Sequence, residues 1–260
     1  MSDRPEIAVT IQCGRTGSQV LGDLLNQHPD VLWRGEIFRG FKPVPIERRP
    51  PDVVRWLERP RAEAGERLFG FEVKPWHSRF TNLPLTDLLE RLDARYRMRT
   101  ILLWRRNWLR VLVSDAVARQ TGAWHTRRSP DAPPAKVQMS IEPDEARNRR
   151  SLMEYMETAE QSHAWCRALL PEALDLTYED DIEGSPLVGY DKARRHLGLS
   201  EFTPQVRLQR TAAFPLHQLI ENYDQVRRYL KGTRFEAYCE EDAAASPSEG
   251  EGGAKEPATG

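Results

Sequence analysis

Cysteine is scarce. Cys13, Cys166 and Cys239 are the only three in 260 residues, and they lie too far apart for a disulfide framework or a zinc site. Long apolar runs are missing as well. The longest are strand-length, so no transmembrane segment is expected. The opening "MSDRPEIAVTIQC" has no basic stretch leading into a long apolar core, which predicts no secretory leader. These absences together predict a cytoplasmic protein. Charge of one sign is lacking too: 38 Lys and Arg face 39 Asp and Glu, for a net charge of -1. There is no global basic field to attract nucleic acid, and no acidic excess that would keep the chain unfolded. Large apolar side chains vanish from "AAASPSEGEGGAKEPATG", so residues 243–260 are predicted to be a disordered tail. Residues 1–242 suffice for one sizeable domain and are too few for two.

The rest of the chain alternates short apolar runs with amphipathic stretches. "IAVTIQC", "RLFGFEVK", "RTILLWR" and "ALDLTY" read as strands, and "VLWRGEIF" as a further extended segment. "PPDVVRWLERP" reads as a short helix between prolines. "LPLTDLLERLDARY" places Leu85, Leu88, Leu89 and Leu92 on one helical face. "WLRVLVSDAVARQTG" predicts a helix that stops near Gly122. A long helix is expected from about Ala146 to Leu170. "SPLVGYDKARRHLGL" and "PLHQLIENYDQVRRYLKG" predict two more. Strands alternating with helices imply an α/β fold, three-layered and P-loop-like, with a central, mostly parallel sheet. Prolines and charges between Thr126 and Arg147 break the pattern and predict a surface loop of the kind that covers a binding site.

The stretch "CGRTGSQVL", Cys13 to Leu21, joins the first strand to the first helix. The N–H groups of a helix start point outward and the helix dipole favours negative charge there. Gly14 and Gly17 let the backbone approach a ligand with no Cβ in the way. Arg15 adds a permanent cation with a planar fork of donors. Thr16 and Ser18 add hydroxyls, and Gln19 follows them. An ATP-binding loop would carry lysine after its last glycine, but Ser18 stands there. The same stretch read by itself is also an ordinary strand-to-helix turn. A second element tips the balance: "RRNWLRVLVS" follows the clearest strand, with Arg106 at the strand end and Ser114 two turns into the next helix. In an open parallel sheet, ligands bind beyond the carboxyl ends of the strands. Two anion-binding elements at that edge imply a ligand with two separated phosphate-like groups.

"GRTGSQVL" and "RNWLRVLVS", in that order, resemble the 5′-phosphosulfate loop and the 3′-phosphate motif of the sulfotransferases. "HPDVLWRGEIF", "LTYEDD" and "ENYDQVRRYLKGTRFEAY" are similar to later segments of the bacterial, carbohydrate and nodulation-type members, so the likeness spans most of residues 6–240. Trp108 stands where the family usually has proline, and Arg15 where many members have lysine. The resemblance implies 3′-phosphoadenosine 5′-phosphosulfate as donor, adenosine 3′,5′-bisphosphate as its product, and no metal. It implies that Gly14 to Gln19 hold the phosphosulfate, that Arg15 stabilises the bridging oxygen, and that Arg106 and Ser114 hold the 3′-phosphate. The acceptor would be a hydroxyl on a carbohydrate or other small molecule; its identity, and whether the chain forms a homo-oligomer, stay open. Glu36 is one choice for the base, with a salt bridge to Arg34 or Arg39 as its plainer reading. His77 is the rival, at the place where cytosolic members carry a histidine base. Lys74 either contacts the transferring group or is a solvated strand-end lysine. Trp76, Trp104 and Trp108 either stack on adenine or pack in the core. Tyr178 and Glu179 resemble a structural family element. Lys231, Gly232 and Thr233 either close over the 3′-phosphate or cap a helix. Two other readings remain: a P-loop small-molecule kinase, and a nucleotide-binding scaffold without catalysis.

Overall fold

The first strand, β1 (Glu6–Gln12), is buried at every position after Glu6. A strand covered on both faces belongs in the middle of a parallel sheet with helices on either side. The computed structural model shows that arrangement; it describes residues 4, 6–122, 134–144, 150–208 and 214–240. In chain order β1 is followed by α1 (Ser18–Asn26), β2 (Val31–Trp33), α2 (Val53–Trp56), α3 (Glu58–Ala62), β3 (Leu68–Val73) and α4 (Ser78–Thr81). Then come α5 (Leu85–Arg95), β4 (Arg97–Trp104), α6 (Trp108–Thr121), α7 (Leu152–Leu169), β5 (Leu174–Thr177) and α8 (Pro186–His196). Three helices close the described chain: α9 (Leu216–Leu219), α10 (Tyr223–Leu230) and α11 (Ala237–Glu240).

The five strands form one all-parallel sheet in the order β2-β3-β1-β4-β5. The chain leaves β1 toward one edge for β2 and β3, then crosses to the other side for β4 and β5. That reversal puts a crevice at the carboxyl end of β1, between its neighbours β3 and β4. Side chains alternate between two cores. Ile7, Val9, Ile11, Leu102 and Trp104 pack with α5, α6 and α7 on one face. Ala8, Ile101, Leu103 and Leu176 pack with α1 and α8 on the other. Trp33 lies flat on the backbone of β3: a Cβ on Gly70 would come within 2.2 Å of its ring, so only glycine fits there.

The four leucines of α5 are all buried. Helix α6 opens on Asn107, whose Oδ1 accepts the Arg110 N–H at 3.0 Å, and ends at Gly122 with φ 67°. Several boundaries differ from the sequence expectation. "VLWRGEIF" is a strand only to Trp33; Gly35, at φ 57°, turns the chain into a 3₁₀ turn over Ile37–Phe41. Helix α7 starts at Leu152, because Ser151 and Glu154 form a reciprocal capping box there. "PLHQLIENYDQVRRYLKG" is two helices. Ile220 leaves the helix to pair with Val137, whose N–H donates to the Leu219 carbonyl and whose carbonyl accepts the Glu221 N–H. The described part of the expected surface loop, 134–144, is therefore tied down: Val137 and Met139 are buried, and the Asn222 amide clamps both polar groups of Met139 at 2.9 Å. The rest of that loop and the expected tail lie outside the described residues. Among the described residues, no helix is long and apolar enough to cross a membrane.

Candidate active site at the ends of three strands

The turn after β1 is built from left-handed backbone. Gly14 and Gly17 both have φ 86°, and Arg15 between them has φ 57°. Two glycines and a strained arginine in succession turn the backbone sharply into α1. Gly17 is also sterically required, since a Cβ there would come 2.8 Å from Ile182 and 3.1 Å from Tyr178. The turn is propped from below by polar groups buried in the strands. The Gln12 side-chain carbonyl accepts the Gly14 N–H, and its amide donates to Glu72 at 2.9 Å. Burial pushes the Glu72 carboxyl up, while the Ser18 hydroxyl that donates to it pulls the other way. Ser18 thus faces the scaffold with its side chain at the start of α1. The Thr16 hydroxyl is buried with no hydrogen-bond partner. Burial pushes the Cys13 thiol up to about 12, so it stands neutral at the entrance to the turn.

Next to this turn, at the end of β3, lies a three-residue charge group. Lys74 Nζ is 2.7 Å from Glu36 Oε1, and His77 Nε2 is 3.7 Å from Glu36 Oε2. Glu36 and Lys74 keep about 15% and 14% of their side-chain surface, whereas His77 is fully enclosed. Burial pushes the Glu36 carboxyl up, but His77 and Lys74 outweigh it and hold the group at about 2. His77 Nδ1 accepts the Lys74 backbone N–H at 3.2 Å, which leaves the ring proton on Nε2, facing Glu36. The two residues that the sequence set up as rivals therefore belong to one group. Glu36 pairs with Lys74, and Arg34 pairs with Glu63 instead. Lys74 Nζ also sits 3.5 Å from where a Gly14 Cβ would be. The cation that an ATP-binding loop carries within itself arrives here from a neighbouring strand.

The end of β4 forms the other wall. Arg15 Nε donates to Ser114 Oγ at 2.8 Å, so the structure brings those two predicted residues together. Arg106 does not join them: its guanidinium grips the Asp180 carboxylate on the exposed side, and it also donates to Thr177. Arg106 and Thr177 hold Asp180 down at about 2. Arg105, which the sequence reading passed over, is 7% exposed, and its guanidinium carbon lies 4.1 Å from the Tyr178 ring centroid. Glu179 accepts the N–H groups of Arg106 at 3.0 Å and Asn107 at 3.2 Å, a structural role as expected of this element. Trp104 and Trp108 are core residues, whereas Trp76 is 42% exposed with Lys74 Nζ 5.6 Å from its ring centroid. Gly232, at φ 75°, donates to Glu236, and Thr233 Oγ1 donates to the Leu230 carbonyl, which finishes α10. Among the described residues, no group of three His, Cys, Asp or Glu gathers as a metal site.

Comparison with known proteins bears on the family. No family model matches the chain. Nodulation protein H of Rhizobium tropici is 27% identical over 254 residues, covering 94% of this chain and 96% of that protein. The crystal structure of a sulfotransferase from Alicyclobacillus acidocaldarius superposes with a TM-score of 0.51 at 17% identity, covering 92% of this chain and 96% of that one. In sequence the chain is similar to that nodulation protein over almost its whole length, and in fold to that sulfotransferase. The likeness to the solved structure is one of fold, a parallel sheet flanked by helices, and neither the kinase nor the scaffold reading is favoured beside it. Gln12, Glu72 and Arg105 are the residues of this candidate site that the sequence reading missed. A signal was present for the first two, since a polar residue inside a fully apolar strand must face a partner.

Proposed function

We propose that this protein moves a sulfuryl group from 3′-phosphoadenosine 5′-phosphosulfate to an acceptor hydroxyl, with Glu36 as the base. The observation that carries this reading is the Lys74–Glu36–His77 group beside the Gly14 turn. The turn fits a phosphosulfate: Gly14 leaves room beneath Lys74, and the Thr16 hydroxyl is buried with no partner. When bound, the donor supplies an electrophilic sulfur on a good leaving group. Arg15, Lys74 and the amides of residues 16–19 would then stabilise the charge that develops on the leaving oxygen. Arg106 and Ser114 are the choice for the 3′-phosphate, with Arg106 exchanging Asp180 for the ligand.

Glu36 is favoured over His77 by the tautomer. A ring whose Nδ1 accepts a backbone N–H has its proton on Nε2, so His77 turns an N–H, not a free lone pair, toward Glu36 across 3.7 Å. A carboxyl held at about 2 is a weak base while Lys74 pairs with it. Lys74 must turn toward the donor's anionic end, and Glu36 then gains basicity as the acceptor hydroxyl arrives. The acceptor is proposed to be a small molecule or a carbohydrate, because the rim carries one exposed aromatic ring, Trp76, beside Lys74. The donor assignment is tested by calorimetry with adenosine 3′,5′-bisphosphate and adenosine 5′-monophosphate. The bisphosphate should bind more tightly, and Arg106→Ala and Ser114→Ala should each shrink the gap. An unchanged gap in both variants would remove these residues from the 3′-phosphate site.

A further inference from the structure

We infer that Glu72 is a positioning residue for donor binding: through Gln12 and Ser18, its side chain holds both ends of the Gly14 turn and ties them to the segment that carries Glu36. The inference rests on the proposed reaction. It adds a residue that is only 1% exposed and therefore acts on the donor through others.

Strand alternation places Glu72. Phe69, Phe71 and Val73 pack in the core that contains α5, so Gly70, Glu72 and Lys74 face α1. Glu72 stands opposite Thr10 on β1, and Gln12 lies two positions further along the same face. The Gln12 amide donates to Glu72 Oε2 at 2.9 Å, while the Gln12 side-chain carbonyl accepts the Gly14 N–H. From the other side the Ser18 hydroxyl donates to the same carboxyl. Gln12 is the last residue of β1 and Ser18 the first of α1, so one side chain grips the turn where it begins and where it ends. Helix α1 lies close against it. A Cβ on Gly22, one helical turn after Ser18, would come 3.2 Å from Glu72 Oε1.

The chemistry of the carboxyl gives this contact a direction. A carboxylate oxygen only accepts, so it turns the Gln12 NH2 toward β3 and leaves the Gln12 carbonyl for Gly14. Gly14 is thereby held at the left-handed position, φ 86°, where the chain turns. The backbone of Glu72 makes the second connection. Its N–H donates to the Gly35 carbonyl at 2.8 Å, one residue before Glu36, and Lys74 follows two positions on. Glu72 therefore joins the donor turn to the Lys74–Glu36–His77 group. Burying a carboxyl is costly unless hydrogen bonds compensate. Burial does push the Glu72 carboxyl up, with Ser18 pulling the other way. Phe71 and Val73 fill the opposite face of the strand without that cost. What the carboxyl adds is a fixed geometry for the groups that meet the donor.

The test is calorimetric binding of adenosine 3′,5′-bisphosphate and of inorganic pyrophosphate to wild type, Glu72→Met, Gln12→Met and the double variant. Hydrogen exchange at the Gly14 amide and the Tm are measured beside it. Methionine keeps the length and removes the acceptor. Loss of a hydrogen bond to a charged group should weaken the bisphosphate about tenfold in Glu72→Met. Because Glu72 acts through Gln12, the double variant should match Glu72→Met, and Gly14 should exchange faster in all three. Wild-type affinity in Glu72→Met with only the Tm lowered would overturn the inference, because it would make Glu72 a structural residue. Losses that multiply in the double variant would overturn it too. If Glu72→Met does not fold, Gln12→Met decides, and wild-type affinity there again overturns the inference. Pyrophosphate separates the two levels. A wild type that ignores the bisphosphate but binds pyrophosphate in a Glu72-dependent way keeps the positioning role and loses the donor reading. A wild type that binds neither loses both.

Discussion

The two walls of the crevice handle charge differently. At the end of β3, Lys74 and Glu36 neutralise each other at 2.7 Å with His77 3.7 Å from the carboxylate, and the group is complete without a ligand. At the end of β4 the cations are arginines held by the scaffold: Arg15 donates to Ser114 at 2.8 Å, and Arg105 lies 3.8 Å from Glu179 and stacks on Tyr178. A self-contained group suits proton transfer, where the protein must control protonation before substrate arrives. A wall lined by arginines suits the binding of an anionic ligand. The comparison teaches that the β3 wall should govern rate and its dependence on pH, and the β4 wall should govern affinity for the donor.

Glu36→Gln breaks the β3 wall most directly. The amide keeps the size and loses the basicity, so kcat should fall by about 10²- to 10⁴-fold. Affinity for adenosine 3′,5′-bisphosphate should stay unchanged. Equal losses in kcat and in bisphosphate affinity would show that the two walls are not separable. His77→Ala, measured beside it, should cost less, because Lys74 still holds Glu36; a larger loss in His77→Ala would move the base to the histidine.

Arg15→Ala addresses the junction of the walls, since Arg15 both lies in the turn and reaches Ser114. Removal of one preorganised donor typically lowers kcat by about 10²- to 10³-fold. Affinity for the bisphosphate should fall as well, which distinguishes this variant from Glu36→Gln. A near-normal rate would take Arg15 out of the chemistry.

Lys74→Met sharpens the comparison by uncoupling Glu36. The carboxyl stands at about 2 because His77 and Lys74 together overcome the effect of burial. Without Lys74 it rises, by about one unit or more for the loss of a close opposite charge. Only ionised Glu36 accepts a proton, so the rate falls as pH drops through its pKa. The acid limb of the kcat/KM profile, which reports the free enzyme in which Lys74 still pairs with Glu36, should therefore move to higher pH in Lys74→Met. The same sign holds for stability. A depressed carboxyl stabilises the fold fully above its ordinary value of 4.5, and that contribution is lost as pH falls toward 2. The Tm difference between wild type and variant should narrow in acid; a constant difference would place the Lys74 effect elsewhere.

Much of this arrangement was legible in the sequence. The apolar runs located the strands, and "CGRTGSQVL" located the turn, because glycine and buried apolar periodicity have few other causes. The break at Ile220 was not legible, since it depends on Val137, far away in the chain. Nor was the union of Glu36 with His77. They lie 41 positions apart, and only the pairing of β2 with β3 brings their segments to one edge. Arg105 was hidden by its neighbour: "RRN" offers two arginines, and motif spacing selects Arg106, whereas strand alternation aims Arg105 at the turn. Long-range register, absent from local pattern, carried the information in all three cases.

The smallest expected effect concerns Trp76, which lies outside both charge groups on the rim of the β3 wall. The ring is 42% exposed, one residue from the enclosed His77. Core packing does not explain an exposed ring, and adenine stacking would require the donor to lie over the β3 wall, away from Arg15 and Ser114. A platform for the acceptor fits the position, since the acceptor hydroxyl must approach Glu36 past Lys74. Aromatic contacts of this kind are worth about 0.5–1.5 kcal/mol, so Trp76→Ala should raise the acceptor KM about two- to tenfold. The bisphosphate affinity and the kcat at saturating acceptor should hold. A weakened bisphosphate affinity would instead place adenine on Trp76 and blur the division between a wall for the acceptor and a wall for the donor.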